Sequence, residues 1–489
     1  MAKIIMIQGT MSSVGKSILC TGLCRVFYQD GYRVAPFKSQ NMALNSFVTK
    51  EGLEMGRAQV VQAESCGIEP DVRMNPILLK PTTDVGSQVI LQGKVHANMR
   101  AMDYYRQKKS FLPLVMESFK SLEEDYEIIV IEGAGSPVEL NLLEHDIVNM
   151  GFAALVDAPV LLVGDIDRGG IFAQLYGTVK LLSEEDRNRI KGLVVNKFRG
   201  DRELFASGLK NLEDLCEKPV CGVVPYVELD IDDEDSLSGR YREKSGASLV
   251  KVGVIAFPKI SNVTDVYPLG RFEGVSVHYV SKPEEILACD LLVLPGSKST
   301  AQDLHWLREQ GLDEALFQAK TKGTVIFGIC GGYQMLGQWI EDPLGVEMTS
   351  GEVVKGLGFL EHLTTFKKEK IQRQVQGVLT GIQGILAPLN GLDYRGYEIH
   401  MGHSLDESQA IMGQDNVYGT YIHGIFDQGA IAKAILELVF KKKGLKGELK
   451  EPLGLKEYKE REYDKLAMII REHLDIDMIY HLLGLGKEE

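Results

Sequence analysis

No apolar run in this 489-residue chain approaches the roughly 20 residues needed to cross a bilayer, so a membrane-spanning role is not expected. Basic residues are in deficit: 54 Lys and Arg against 68 Asp and Glu leave a formal charge of −14. A general nucleic-acid binder needs a basic face and is not expected here. An anionic small substrate stays open, because the charge around a site can oppose the charge of the whole. Paired cysteines are also missing. The seven present (Cys20, Cys24, Cys66, Cys216, Cys221, Cys289, Cys330) are scattered, odd in number and without a Cys-x-x-Cys pair. That pattern suits free thiols in a reducing compartment. The opening residues Met1 to Gly9 lack the long apolar region and cleavage site of a signal peptide, so a cytoplasmic location is expected. Short internal repeats and low-complexity tracts are absent as well.

What is present is an ordinary globular composition, 44% hydrophobic and 25% charged, over a length that calls for two or three domains. Lys3 to Gln8 reads as a short apolar strand, followed by a glycine loop and a helix from Lys16 to Asp30. Gly31 to Phe37, Glu127 to Glu132, Ala158 to Gly164 and Ile190 to Asn196 continue as apolar strands separated by helical stretches. Continuous apolar strands predict a parallel sheet covered on both faces, hence an α/β domain with crossover helices. The acidic, turn-rich stretch near 229–248 reads as a linker. A second α/β pattern follows, with strands at Lys251 to Phe257, Val275 to Val280, Leu291 to Gly296 and Thr324 to Gly328. Beyond Gln428 the chain turns helical and charged. The expected division is therefore 1–228, a linker at 229–248, 249–440, and a C-terminal helical extension at 441–489.

Two short motifs carry chemistry. The first is Gly9-Thr10-Met-Ser-Ser-Val14-Gly15-Lys16-Ser17, between a strand and a helix. Backbone N–H groups of such a loop and the positive end of the helix dipole cradle phosphates. Lys16 would reach the terminal phosphates of ATP, and the Ser17 hydroxyl would ligate Mg²⁺. Glu132 ends the strand from Ile128 and is a candidate second Mg²⁺ ligand, since strand ends of a parallel sheet border the phosphate loop. Asp165 and Asp167 follow another strand end, either facing the same crevice or capping a turn.

The second motif is Gly328-Ile-Cys330-Gly331-Gly332, at the turn from a strand into a helix. Small neighbours permit the sharp turn that pushes a nucleophile outward, and the helix N-terminus favours an anionic sulfur. The Gly331 N–H is placed to stabilise a tetrahedral oxyanion. His423, in Tyr418-Gly-Thr-Tyr-Ile-His423-Gly, is the candidate base, with His400 and His403 as competitors that would otherwise shape the pocket. A nucleotide site and a thiol nucleophile on one chain suggest two coupled half-reactions. ATP would activate a carboxylate, and glutamine would release ammonia to capture it.

These residues, together with Lys38-Ser-Gln40-Asn41-Met-Ala-Leu-Asn-Ser46, Asp165-Ile-Asp-Arg-Gly-Gly-Ile-Phe172, Asn196-Lys-Phe-Arg-Gly-Asp201 and Leu294-Pro-Gly296-Ser-Lys-Ser-Thr300, resemble the cobyric acid synthase family of the CobB/CobQ group. The resemblance covers nearly the whole chain. It implies a dethiobiotin-synthetase-like P-loop domain and a class I glutamine amidotransferase-like domain. It also implies Mg²⁺, ATP and glutamine, a corrinoid substrate, and Gly296 as a second oxyanion donor. The reaction implied is amidation of the b, d, e and g carboxylates of adenosylcobyrinic acid a,c-diamide, through acyl phosphates. Gln40, Asn41 and Asp146 are candidate substrate contacts. Whether the chain forms a homo-oligomer is left open.

One departure from most class I amidotransferases stands out. The Glu usually found two residues after the histidine is Ile425 here, so something else must orient His423. The nearest rival is a cobyrinic acid a,c-diamide synthase, acting at positions a and c. A CTP-synthase-like enzyme is disfavoured by Ile425. A P-loop switch ATPase with a degenerate second domain is disfavoured by the intact Cys330 and His423.

Overall fold

The computed structural model describes residues 2–83, 86–231, 248–404, 409–445, 449–450 and 452–486. It divides into two compact units. The first takes Met1–Ala43, Met55–Glu234 and Lys459–Glu489; the second takes Leu44–Glu54 and Asp235–Tyr458.

The first unit is built on six parallel strands. Their spatial order is Val220–Pro225, Ile190–Phe198, Val160–Asp165, Lys3–Gly9, Ile128–Glu132 and Val34–Phe37. All five residues of Ile128–Glu132 are buried, as strands covered on both faces require. Five of the six strands match apolar runs in the sequence. Val220–Pro225 was not among the expected strands: it lies at the sheet edge and is only partly buried, in the pattern of an edge strand.

The helix Lys16–Gln29 covers this sheet and is itself covered by the end of the chain. Leu466 and Ile470 of the helix Leu455–His473 lie over Gly22, where an added Cβ would sit 2.5 Å from Ile470 Cγ1. Arg25 pairs with Glu460 at 2.6 Å and Asp464 at 2.8 Å, and Arg471 pairs with Asp30 at 2.7 Å. The expected helical extension at 441–489 is thus corrected. From Lys459 onward the chain completes the core of the first unit, because the outer face of Lys16–Gln29 is apolar and needs a cover. Most of the expected linker at 229–248 lies outside the described residues.

The second unit holds a six-stranded sheet in the order Val275–Val280, Val250–Ile255, Leu291–Leu294, Val325–Ile329, Val417–Thr420 and Met412–Gln414. The last strand is antiparallel and the others are parallel. A further sheet pairs the long strands Leu363–Val378 and Asp393–Ser404, the latter bordering Ile422–His423. Residues 44–54 belong to this unit although they lie far upstream in sequence, a correction to the expected first domain at 1–228.

Candidate active sites

In the first unit the phosphate loop is held from below. Gly15 sits at φ +98°, a left-handed conformation that strains any residue with a Cβ, and an added Cβ would lie 2.2 Å from Asn196 Nδ2. Asn196 Nδ2 donates to the Val14 carbonyl at 2.7 Å, and Lys197 Nζ donates to the Ser13 carbonyl at 2.5 Å. Lys197 also pairs with buried Asp165 at 2.9 Å, so Asp165 supports the loop through Lys197. Asp167 instead pairs outward with Arg199. Thr10 donates its hydroxyl to Gln174. Lys16 Nζ donates to the carbonyls of Met11 at 3.0 Å and Gly135 at 3.1 Å, and so lies folded over the loop next to Gly9. The N-cap of the helix Lys16–Gln29 is Gly15, which offers no capping side chain to compete with an anion.

Glu132 lies at the strand end as expected, 1% exposed. Its Oε1 accepts from Ser17 Oγ at 2.8 Å and Lys38 Nζ at 2.9 Å, and its Oε2 accepts from Gln62 at 2.6 Å. Burial by itself would raise its pKa. The Lys38 charge and the hydrogen bonds from Lys38, Gln62 and Ser17 outweigh burial and hold it below the usual carboxylate value. Ser17 and Glu132 thus present two hard oxygens side by side. That donor set fits Mg²⁺, which takes one or two protein oxygens and completes its shell with phosphates and water.

The three candidate substrate contacts are differently placed. Gln40 is partly exposed and accepts from the Tyr104 hydroxyl at 2.6 Å. Asn41 is 1% exposed and donates to Gln59, which reaches toward Glu132. Its immediate surroundings are those of a buttress to the carboxylate network. Asp146 accepts three backbone N–H groups, from Val148, Asn149 and Gly151, at 2.8–2.9 Å. Those bonds make it a turn and helix-start cap.

In the second unit Cys330 follows Val325–Ile329 at φ +50°, ψ −107°, an elbow conformation outside the ordinary regions for a non-glycine residue. The elbow needs its glycines for space: a Cβ on Gly332 would lie 2.0 Å from the Leu294 carbonyl oxygen. A Cβ on Gly331 would lie 2.8 Å from the Ser297 nitrogen. The loop bearing Gly296 and Ser297 therefore runs against the elbow. Gly296 itself borders the His423 ring, with its ideal Cβ position 3.4 Å from Cε1.

His423 is 1% exposed. Its Nδ1–H donates to Asp265 Oδ2 at 2.7 Å, and Cys330 lies near enough to act on its charge, while the Cys330 Sγ–H points to the Ile399 carbonyl at 3.8 Å. Asp265 Oδ1 accepts the Gly424 N–H at 2.8 Å, which fixes the carboxylate in the plane it needs. Burial would lower the His423 pKa. The Asp265 charge and hydrogen bond, together with Cys330, reverse this and raise it to about 10. The second unit thus brings together a thiol, an imidazole and a carboxylate, the groups of an activated nucleophile. Asp265 is the orienting group that sequence reasoning missed. It lies in the irregular helical stretch Val263–Arg271, 158 positions from His423, with no motif to mark it.

His400 is set differently from His423, with no carboxylate on its ring among the described residues. Its Nδ1–H donates to the Gly402 carbonyl at 2.8 Å, its ring stacks on Tyr421, and burial pushes its pKa down to about 3. His403 neighbours it, ring centroids 5.9 Å apart.

Comparison with known proteins matches each half of the chain to a domain family. Residues 5–236 match the CobQ/CobB/MinD/ParA nucleotide binding domain, and residues 251–431 match the CobB/CobQ-like glutamine amidotransferase domain. A protein of Lachnoclostridium phytofermentans named cobyric acid synthase is 53% identical, over 99% of this chain and 100% of its own length. The chain belongs to the cobyric acid synthase family. Relatives of the same name in Ruminiclostridium cellulolyticum and Thermoanaerobacter sp. are 52% and 48% identical. Each aligns over 100% of this chain, and over 98% and 100% of its own length respectively. With the family shown, the two-domain α/β fold is that of a P-loop nucleotide-binding domain joined to an amidotransferase domain. Among the described residues no helix is long and apolar enough to cross a membrane.

Proposed function

We propose that this chain catalyses the ATP- and glutamine-dependent amidation of the b, d, e and g carboxylates of adenosylcobyrinic acid a,c-diamide, giving adenosylcobyric acid. One observation carries the reading: a single chain, aligned end to end with cobyric acid synthases, keeps both a phosphate loop and an elbow cysteine beside a histidine–carboxylate pair.

A carboxylate does not exchange its oxygen for ammonia unaided. Transfer of the ATP γ-phosphoryl group to it gives an acyl phosphate, whose phosphate can leave. Lys16 and the loop from Gly9 through Val14 and Gly15 would hold the phosphates against the helix start, and Ser17 and Glu132 would hold Mg²⁺. When bound, the metal neutralises charge building on the transferred group. Lys38 keeps Glu132 ionised for that task.

At the second site the Cys330 sulfur attacks the glutamine carboxamide. His423 takes the thiol proton and returns it to the departing ammonia, while Asp265 holds the imidazole in the tautomer that presents Nε2 to the sulfur. The N–H groups of Gly331 and Gly296 are the proposed oxyanion donors. Water then hydrolyses the glutamyl thioester. Ammonia released there is the nucleophile for the acyl phosphate.

The test is mass spectrometry of adenosylcobyrinic acid a,c-diamide incubated with the protein, Mg²⁺-ATP and glutamine. A product with four carboxylates converted to amides supports the reading. Conversion of cobyrinic acid to its a,c-diamide, with no change in the first substrate, would transfer the chain to the rival synthase.

A further inference from the structure

We infer that residues 45–48, more than two hundred positions upstream of the amidotransferase sequence, form a strap that positions His423 for glutamine hydrolysis. The inference rests on the amidotransferase reading above and assigns further residues to it.

The strap lies in the second unit and closes a ring of buried hydrogen bonds. The Ser46 N–H donates to Asn262 Oδ1 at 3.2 Å, Asn262 Nδ2 donates to the Tyr397 hydroxyl at 3.1 Å, and that hydroxyl donates to the Ser46 carbonyl at 3.0 Å. Ser46, Asn262 and Tyr397 are 1%, 2% and 4% exposed, so each bond would be costly to leave unmade. Asn262 takes the Ser46 N–H and Tyr397 the Ser46 carbonyl, so between them they satisfy the strap backbone as a neighbouring strand would.

Both groups that hold the imidazole hang from this ring. Asn262 has a left-handed backbone, φ +53°, and its carbonyl accepts the Asp265 N–H at 3.1 Å, so the turn that aims Asp265 starts at the strap contact. Asn45 Oδ1 accepts the Val263 N–H at 3.4 Å within that turn. On the other side Tyr397 stacks on the His423 ring, centroids 5.3 Å apart and 22° from parallel. Phe47 packs edge-on against Tyr397 at 5.1 Å. Asp265 therefore fixes the edge of the imidazole and Tyr397 its face, and the strap fixes both. Further along, buried Glu54 anchors the same segment to Lys370 and Gln372 of the strand Leu363–Val378.

Tyr397→Phe keeps the stacked ring and removes only the hydroxyl that closes the network. Asn45→Ala removes the support under the Asp265 turn. In the full chain with Mg²⁺-ATP, each is expected to lower kcat for glutamine hydrolysis about tenfold or more, the scale on which misaligning a catalytic group acts. KM for glutamine should stay within about twofold, because neither residue is assigned to glutamine binding. The double variant should lose less than the product of the two single losses, because both changes release one network. Asn45→Ala carries the test if Tyr397→Phe does not fold. The proposal falls if kcat stays near wild type in both variants. It also falls if losses multiply independently and KM rises in step, as general loosening would give. Cys330→Ala separates this from the underlying reading. If that variant hydrolyses glutamine as wild type does, the amidotransferase assignment falls and the strap role with it. If it is dead and the strap variants are normal, only the strap role falls.

Discussion

Replacing Asp265 with Asn asks whether the buried carboxylate makes His423 a base. Asn has nearly the same shape and can still accept the Gly424 N–H, but it carries no charge. In the native site His423 is lifted from 6.5 to about 10 against the opposing effect of its own burial. At about 1.36 kcal/mol per unit, that lift amounts to about 5 kcal/mol of preference for the imidazolium. Removing one member of a buried pair generally costs about 3–5 kcal/mol. Without Asp265, burial is opposed only by Cys330, so the His423 pKa falls from about 10, and the tautomer facing Cys330 is no longer enforced. We expect kcat for glutamine hydrolysis to fall by about 10²–10⁴, the upper figure being that for removing the carboxylate behind a catalytic imidazole. Glutamate release in a coupled assay measures it directly. The stability change has a definite sign with pH. Because the folded-state pKa is raised, the contribution of the pair is full below 6.5 and is lost as pH rises through about 10. The gap in Tm between wild type and Asp265→Asn should therefore be widest in mild acid and close in strong alkali. A kcat within about threefold of wild type, or a stability gap independent of pH, would refute the argument.

Cys330→Ala should abolish glutamine-dependent amidation but leave amidation driven by added ammonium salt, measured by corrinoid mass. Glu132→Ala removes the buried carboxylate that accepts from Ser17, Lys38 and Gln62 and should lower stability by about 3–5 kcal/mol in denaturant titration, besides removing ATP-dependent turnover. Asn196→Ala frees the Val14 carbonyl and should raise KM for ATP several-fold while glutamine hydrolysis is unchanged. Ile470→Ala opens the cover over Gly22 and should cost about 2–5 kcal/mol, read as a drop in thermal midpoint.

The sheets around both motifs were readable because their strands are continuous apolar runs: Ile128 to Ile131 and Val325 to Phe327 have no alternative to burial. The phosphate loop and the cysteine elbow were readable because their chemistry fits within a few consecutive residues. The strand Leu363–Val378 was not, since its Phe-Lys-Lys-Glu-Lys-Ile-Gln-Arg-Gln core is polar and looks like a solvated surface. Asp265 escaped for a different reason: the contact that gives it a role is made by folding alone, across 158 positions. Asn41 sits in a run that carries the family resemblance and Asp146 is a candidate substrate contact, yet the contacts they make are a buried amide pair and a cap. Resemblance marks where a family is constrained, and packing constrains as firmly as chemistry does.

The return of the chain after Tyr458 has a consequence for how the molecule is made. A ribosome emits every residue of the amidotransferase unit before it emits Tyr463, Leu466 and Ile470, which seal the nucleotide-binding unit. The half that begins first is thus finished last. Until then the apolar back of Lys16–Gln29 waits uncovered, a surface for chaperones to guard. A premature stop shortly after Tyr458 would spare the glutamine site and cripple the ATP site at the other end of the gene.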